Sequence, residues 1–167
     1  MPVLYNVNFI NPFLHAVIEV LSAMAQVEPR PGKPYINVLH AAKGDVTGLI
    51  GVTGYARGTI SLTLSKDAIL HIVSRMLMTE YTEINDDIID ATGELTNMIA
   101  GHAREALEAQ GMLFQASSPS VVVGRGHRID HISGAPVLAI PFSIDHGDFV
   151  VETAFTDSVA DASLPEK

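Results

Sequence analysis

The run from Asn85 to Gly111 constrains this chain more than any other stretch. It holds no proline, and Asn85 suits an N-cap. Asp86 and Asp87 fall in the first turn, where carboxylates complement the exposed N–H groups and the helix dipole. Gly111 supplies a C-terminal stop. One long helix follows. At about 100° per residue, Ile88, Leu95, Ile99 and Ala106 line one side, with Thr92 and Ala103 beside them, as a core stripe does. Asp86, Asp90, Gly93, Glu94, Asn97, Gly101 and Glu108 line the other side.

Two glycines stand on that polar side, Gly93 and Gly101, each one turn from Asn97. A glycine inside a helix costs on the order of 1 kcal/mol relative to alanine, and on an exposed face no burial offsets the loss. Their effect is to clear side chains from around Asn97, so that another molecule can approach the helix closely. The alternative is a solvated face with incidental glycines. The residues by themselves do not choose between the two.

The segment Asp90-Ala-Thr-Gly-Glu94-Leu-Thr-Asn97-Met-Ile-Ala-Gly101 resembles the D/S-x-x-x-E-x-x-N signature of the CheC/CheX/FliY phosphatases of bacterial chemotaxis. The single signature helix, the chain length and the Asn11-Pro12-Phe13 opening are most similar to the CheX branch; CheC-type members carry two such helices. The resemblance covers most of the chain in layout and is sharp over residues 90–101 and near the N-terminus. His102 departs from the small polar residue, such as Asn, found in many relatives. At about 140° from Asn97 around the helix it points away from the polar face.

That resemblance implies an activity, a partner and roles for the residues. The substrate is the aspartyl phosphate of a CheY-like response-regulator receiver, whose hydrolysis ends a chemotaxis signal. The receiver brings its own Mg2+, and no cofactor is bound by this chain. Hydrolysis then needs a water held in line with the scissile P–O bond. A carboxamide suits that role. Its oxygen accepts a hydrogen bond from the water, and its NH2 stays neutral beside the anion, where a carboxylate would repel it. Asn97 is the candidate, matching the family's Asn. Glu94 matches the family's Glu, which pairs with a receiver lysine and so fixes register. As a general base Glu94 is disfavoured, because an ordinary Glu titrates near 4.3 and nothing on a polar helix face raises it. Asp90 either shapes the contact surface or is a solvated acid. Gly93 and Gly101 belong to the partner-binding surface. Relatives of the CheX type form dimers through their sheets, so a homodimer is implied as well. A second function class stays open: a module that docks on a receiver or on the flagellar switch without catalysis.

Composition limits the other classes. A chain of 167 residues with 47% hydrophobic and 17% charged residues is globular and long enough for a real core. Its net charge of −9 argues against nucleic acid or an anionic membrane as partner, since both demand a basic patch. With no cysteine there is no disulfide, thiol nucleophile or thiolate metal site. No apolar run approaches the roughly 18 residues of a membrane span, and no secretory signal is visible, so a cytoplasmic protein is expected.

Along the chain, Asn11-Pro12 reads as N-cap plus first helical residue of a helix to about Ala25, burying Phe13, Leu14, Val17, Ile18 and Leu21. Pro29-Arg-Pro-Gly32, then Lys33 and Pro34, make a connector. Strands are expected over Tyr35 to Ala42, Asp45 to Gly54 and Gly58 to Leu64. The second places Val46, Ile50 and Val52 on one alternation. The third points Ile60, Leu62 and Leu64 inward and Thr59, Ser61 and Thr63 outward. Ser65 caps a helix over Lys66 to Met78, with Ile69, Leu70, Val73 and Leu77 apolar. Beyond Gly111, strands are expected over Met112 to Ala116, Ser120 to Val123, Pro136 to Ile144 and Phe149 to Phe155. A loop or irregular hairpin spans Gly124 to Gly134, and a tight turn spans Asp145 to Asp148. Pro141 marks an edge strand or a bulge. The order helix, strands, two helices, strands gives an α+β fold, an antiparallel β-sheet with helices packed on it. It forms one domain over 1–157 with a polar tail over 158–167.

The histidines suggest a third, weaker class, a metal-dependent hydrolase. His127 and His131 flank Asp130 in one loop, with Asp145, His146 and Asp148 downstream. No His-Glu-x-x-His pattern fixes their spacing, so solvated loop histidines are favoured. His15, His40 and His71 stand alone, as packing or surface positions. Ser118-Pro-Ser120 lacks the elbow of an acyl hydrolase, and Gly124-Arg-Gly126 is too short for a phosphate loop.

Overall fold

Alternating apolar residues build one antiparallel sheet, and three amphipathic helices lie against it. The computed structural model describes residues 6–37, 43–129, 131 and 135–156. In chain order the elements are α1 (Val7–Ala25), β1 (Arg30–Pro31), β2 (Tyr35–Asn37), β3 (Lys43–Gly54), β4 (Arg57–Leu64), α2 (Lys66–Leu77), α3 (Asp86–Glu108), β5 (Phe114–Ala116), β6 (Ser120–Arg128), β7 (Val137–Ile144) and β8 (Gly147–Thr156). The strands run β1-β7-β8-β4-β3-β5, with β2 also on β7 and β6 also on β3, and every pair is antiparallel. This is the α+β order expected from the sequence.

The helix side of the sheet is aliphatic and aromatic. Val46, Ile50 and Val52 of β3, Ile60, Leu62 and Leu64 of β4, and Phe149, Val151 and Phe155 of β8 are all buried there. Each large side chain of this kind contributes roughly 1.5–3 kcal/mol when fully buried. Helix α3 lies directly on β3 at Gly48, where any Cβ would run into the Thr96 side chain. The two threonines that α3 sends into the core cost little. Thr92 Oγ1 donates to Ile88 O and Thr96 Oγ1 to Thr92 O, both at 2.7 Å, so each hydroxyl is satisfied within its own helix.

The opposite side of the sheet departs from expectation. Ser61 and Thr63 do point away from the helices, yet both are buried. Ser61 lies between Leu49 and Glu152, its Oγ without a hydrogen-bond partner among the described residues, and Thr63 is tied to the stretch after Val123. β6 continues to Arg128 where a loop or irregular hairpin was expected from Gly124, and it carries His127 onto β3. His127 Nε2 lies 2.6 Å from Thr47 Oγ1, and Thr47 Oγ1 lies 2.9 Å from Thr63 Oγ1. His131 Nδ1 lies 2.6 Å from Thr59 Oγ1. Neither histidine is therefore a solvated loop residue; the His131 side chain is 1% exposed. Glu152 of β8 is buried beside it, accepting from Asn37 Nδ2 at 3.2 Å and standing 3.7 Å from His131 Nε2.

Helix α1 begins at Val7 rather than at Pro12, where the Asn11-Pro12 dipeptide would start it. Asn6 is the N-cap, accepting from the Phe9 N–H at 3.1 Å, and Pro12 sits inside the helix. A proline there has no N–H to give the Asn8 carbonyl. Gln110, just beyond α3, donates its Nε2 to that carbonyl at 3.0 Å instead. Phe9 and Val20 are buried, whereas Leu14 and Ile18 are only half-buried. At 19 residues and a mean hydropathy of 1.3, α1 is long and apolar enough to cross a membrane by length and composition, contrary to the expectation that no run reaches that length. In this fold its Phe9, Phe13, Val17, Val20 and Leu21 are core residues.

Smaller differences have local causes. β2 ends at Asn37; the rest of the strand expected to Ala42 lies outside the described residues, as do His40, Asp130 and the tail from 157. Leu77 is 47% exposed because it falls on the last turn of α2, past the sheet-facing Ile69, Ile72 and Val73. Pro141 sits where β7 passes from β1 to β2, and its carbonyl accepts from the Gly32 N–H at 2.8 Å.

Candidate functional site

Helix α3 is built as its sequence dictates at both ends. Asn85 Oδ1 accepts from the Ile88 N–H at 3.1 Å, with Asp86 and Asp87 in the first turn. At the far end Gly111 takes φ +88°, a left-handed value that a side chain would disfavour, and the Met112 N–H returns to Leu107 O at 3.0 Å. That return places Leu107 in the core and leaves Ala106 exposed, the reverse of the expected stripe in this last turn. Ile88, Thr92, Leu95, Ile99 and Ala103 are buried, as the periodicity predicts.

Asp90, Glu94 and Asn97 are all exposed on the opposite face. Steps of four and three residues put them about 6 Å and about 4.5 Å apart along the axis, within an arc of about 60°. None of the three is held by a hydrogen bond or ion pair among the described residues. Asn97 thus presents a free carboxamide, with a free carboxylate one turn below it.

The two glycines part company here. Gly101 is half-exposed, and a Cβ built on it meets nothing within 4 Å. Gly93 is buried rather than exposed; its Cβ would lie 3.5 Å from Val121 Cγ2 and 3.7 Å from Pro119 Cγ. Gly93 belongs to the seam between α3 and the start of β6, so only Gly101 leaves open space above Asn97. The sequence could not show this, because the contact bridges residues nearly thirty positions apart. On the other flank His102 turns toward α1, with Nδ1 3.7 Å from Glu19 Oε2.

Titratable groups elsewhere serve the fold. Asp45 occupies a register shift in β3, where Oδ2 accepts from the Lys66 N–H at 2.8 Å and Oδ1 from the Gly126 N–H at 3.1 Å. The Lys66 N–H, at the start of α2, holds its carboxyl below the usual range. His71 of α2 is not alone: it stacks on His146 with ring centroids 3.6 Å apart and planes at 9°. Burial lowers the His71 pKa, and the neighbouring His146 lowers it further. Among the described residues no group of three or more His, Asp or Glu is arranged to hold a metal ion. His127 spends Nδ1 on Gly124 O at 2.7 Å and Nε2 on Thr47, which leaves it no nitrogen for a metal.

An exposed carboxamide and a carboxylate on a convex helix do not enclose a small substrate. A depression of about 850 Å³ lies elsewhere, lined by residues that include Arg30, Tyr35, Thr63, Pro141 and His146. The face of α3 is instead open to contact with another macromolecule.

Known proteins share this fold. A family model described as chemotaxis phosphatase CheX matches residues 46–143, a span that contains all of α3. The CheY-P phosphatase CheX of Thermotoga maritima is 31% identical over 140 residues, 81% of this chain and 86% of that protein. The crystal structure of chemotaxis protein CheX from Desulfovibrio desulfuricans matches with a TM-score of 0.83 at 46% identity, over 87% of this chain and 97% of that one. A chain of the CheX-CheY-BeF3-Mg2+ complex from Borrelia burgdorferi matches with a TM-score of 0.75 at 27% identity, over 90% of this chain and 99% of that one.

Proposed function

Since this chain belongs to the CheX family of chemotaxis phosphatases, we propose that it hydrolyses the aspartyl phosphate of a CheY-like receiver and so ends a chemotaxis signal. The observation that carries this reading is the free Asn97 carboxamide on an exposed helix face, with Glu94 a turn below and open space at Gly101 above.

The chemistry follows from what each side supplies. The receiver brings the phosphoryl group and the Mg2+ that neutralises it; a CheX-CheY complex holding BeF3 and Mg2+ supports placing the metal on that side. This chain has then only to position the nucleophile. Asn97 Oδ1 accepts a hydrogen bond from a water and aims it along the P–O axis, while Nδ2 lies beside the phosphoryl oxygens without repelling them. Glu94 takes a receiver lysine, which sets the register of α3 across the receiver's site. Asp90, one turn further back, borders the same contact. Gly101 lets the receiver backbone approach. A homodimer belongs to the same proposal and is read by sedimentation of the purified chain.

Phosphate release from a phosphorylated receiver tests the reading, with wild type and Asn97→Ala compared side by side. Acceleration by the wild type that the variant lacks is the expected result. Binding of the receiver without acceleration would make the chain a docking module instead.

A further inference from the structure

The exposed face of α3 has a different neighbour on each flank. Gly93 lies about 40° around the helix from Asn97, and His102, which turns to Glu19 of α1, lies about 140° the other way. At Gly93 the helix meets β6, where a Cβ would lie 3.5 Å from Val121 Cγ2 and 3.7 Å from Pro119 Cγ. Gly93 has no side chain to raise a ridge between Asn97 and that strand. Alternation puts Val123 on the same face of β6 as Val121, and Val122 on the other face, opposite Thr47. Val123 is 46% exposed, although it is an aliphatic residue inside a strand. With Ile84 it forms the apolar part of a depression of about 490 Å³, whose other walls are Asp45, Lys66, Glu83 and Arg125. These are two acids and two bases, which cancel formally. Lys66 pairs with Glu83 at 2.9 Å, and both Asp45 oxygens accept backbone N–H groups. What this flank offers a partner is therefore apolar surface.

We propose that the receiver docked on Asn97 leans toward β6 and covers Val121 and Val123 with apolar surface of its own. The proposal rests on the phosphatase reading for the identity of the partner. The place and chemistry of the contact come from the seam between α3 and β6. Asn97 stands about 6 Å along the helix axis from Gly93, and Val123 stands about 7 Å along β6 from Val121. A specific interface covers about 800 Å² of each partner, a disc on the order of 16 Å in radius. A footprint of that size centred on Asn97 crosses the seam and takes in both valines. Such interfaces carry an apolar centre among polar groups. Asp90, Glu94 and Asn97 supply the polar groups, and β6 supplies the apolar ones. On the opposite flank the same footprint would meet Glu19 and His102, both half-exposed or more and able to pair with each other. The two elements then divide the work. Asn97 and Glu94 act on the reacting group and its register, whereas Val123 contributes binding that is equal in the ground state and the transition state.

The test uses the full chain and separates receiver affinity from turnover. Dissociation constants are taken for a receiver loaded with beryllofluoride and Mg2+, and initial rates of phosphate release for the phosphorylated receiver. The variants are Val123→Ser and Val123→Asp at the seam, Val122→Ser on the other face of the same strand, and Glu19→Ala on the opposite flank. Affinity should fall about fivefold for Val123→Ser and at least about tenfold for Val123→Asp. The kcat at saturating receiver should stay within about twofold, and raising the salt should not restore the affinity of Val123→Ser. Val122→Ser and Glu19→Ala should bind within about twofold of wild type. Unchanged affinity in Val123→Asp overturns the proposal. So does an equal loss in Val122→Ser, which reports damage to the strand, or a loss that tracks a lowered urea midpoint. Self-association lost in Val123→Asp with receiver affinity intact, read by sedimentation, gives the strip to a second copy of this chain and overturns it too. A wild type that binds the receiver without releasing phosphate overturns the phosphatase reading alone, and the binding constants still decide the role of Val123.

Discussion

On α3, Asp90, Glu94 and Asn97 stand in solvent with nothing bonded to them among the described residues, whereas on the far side of the sheet Thr47, Thr63 and Glu152 are buried and each is tied to a neighbour. Both regions read as polar in the sequence. In the second, folding supplies the partners: a hydroxyl from the adjacent strand, an imidazole carried over by β6, an amide from β2. A buried polar group left unpaired costs on the order of 1–3 kcal/mol, so the network is a condition of folding. In the first region folding supplies no partner, and water satisfies the groups at little cost. A polar cluster that the fold leaves alone is available to another molecule; one that the fold completes belongs to the fold.

The sharpest way to break that contrast is Asn97→Ala. It should lower phosphate release by roughly 10²–10³-fold, about 3–4 kcal/mol of barrier, without moving the urea midpoint. Glu152→Ala should do the reverse. It strips a buried carboxylate from Asn37 and His131, and unfolding should become easier by about 2–3 kcal/mol, with activity per folded molecule retained. Activity lost in a fully folded Glu152→Ala protein would mean that the back of the sheet reaches the chemistry after all.

A milder pair separates the two glycines. Gly101→Leu places a side chain in open space, so stability should hold or rise by up to about 1 kcal/mol while receiver-dependent activity falls about tenfold. Gly93→Ala meets Val121 and Pro119 at ordinary van der Waals distance, and both stability and activity should survive. Equal effects at the two positions would erase the distinction drawn between seam and open face. Gln110→Ala leaves the Asn8 carbonyl without its donor and should cost about 1 kcal/mol in a urea titration.

The smallest effect is in pH. Burial holds the His71 pKa below its ordinary value of 6.5, so the folded state resists a proton that the unfolded state accepts. His71 therefore costs nothing well above pH 6.5 and removes stability as pH falls through that value toward its folded pKa. Asp45 acts lower. Its depressed pKa contributes stability above 3.8, and that stability is lost as pH falls below this value toward its folded pKa. His71→Gln should flatten the urea midpoint between about pH 7.5 and about pH 5.5 relative to wild type. An identical slope would show that the stack on His146 leaves no mark on stability.

How much of this was legible depended on the range over which each residue finds its partner. The length and caps of α3, the exposure of Asp90, Glu94 and Asn97, the turn at Asp145 and the inward sides of β3 and β4 all follow from neighbours within a few positions. The tie of Thr63 through Thr47 to His127 follows from where the stretch after Val123 lands, about sixty residues away, and no alternation pattern records that. The seam position of Gly93 is hidden for the same reason. The start of α1 is hidden because Pro12 carries a strong local rule, first position of a helix, which Gln110 overrides from far along the chain.

That override has a mechanical consequence. The bond from Gln110 to the Asn8 carbonyl exists only at the one rung of α1 where a proton is missing from the ladder. A slip of α1 by a turn against α3 would offer Gln110 a carbonyl already occupied by its own helix. Pro12 thus works as an index mark. It makes one setting of the two helices unlike all the others.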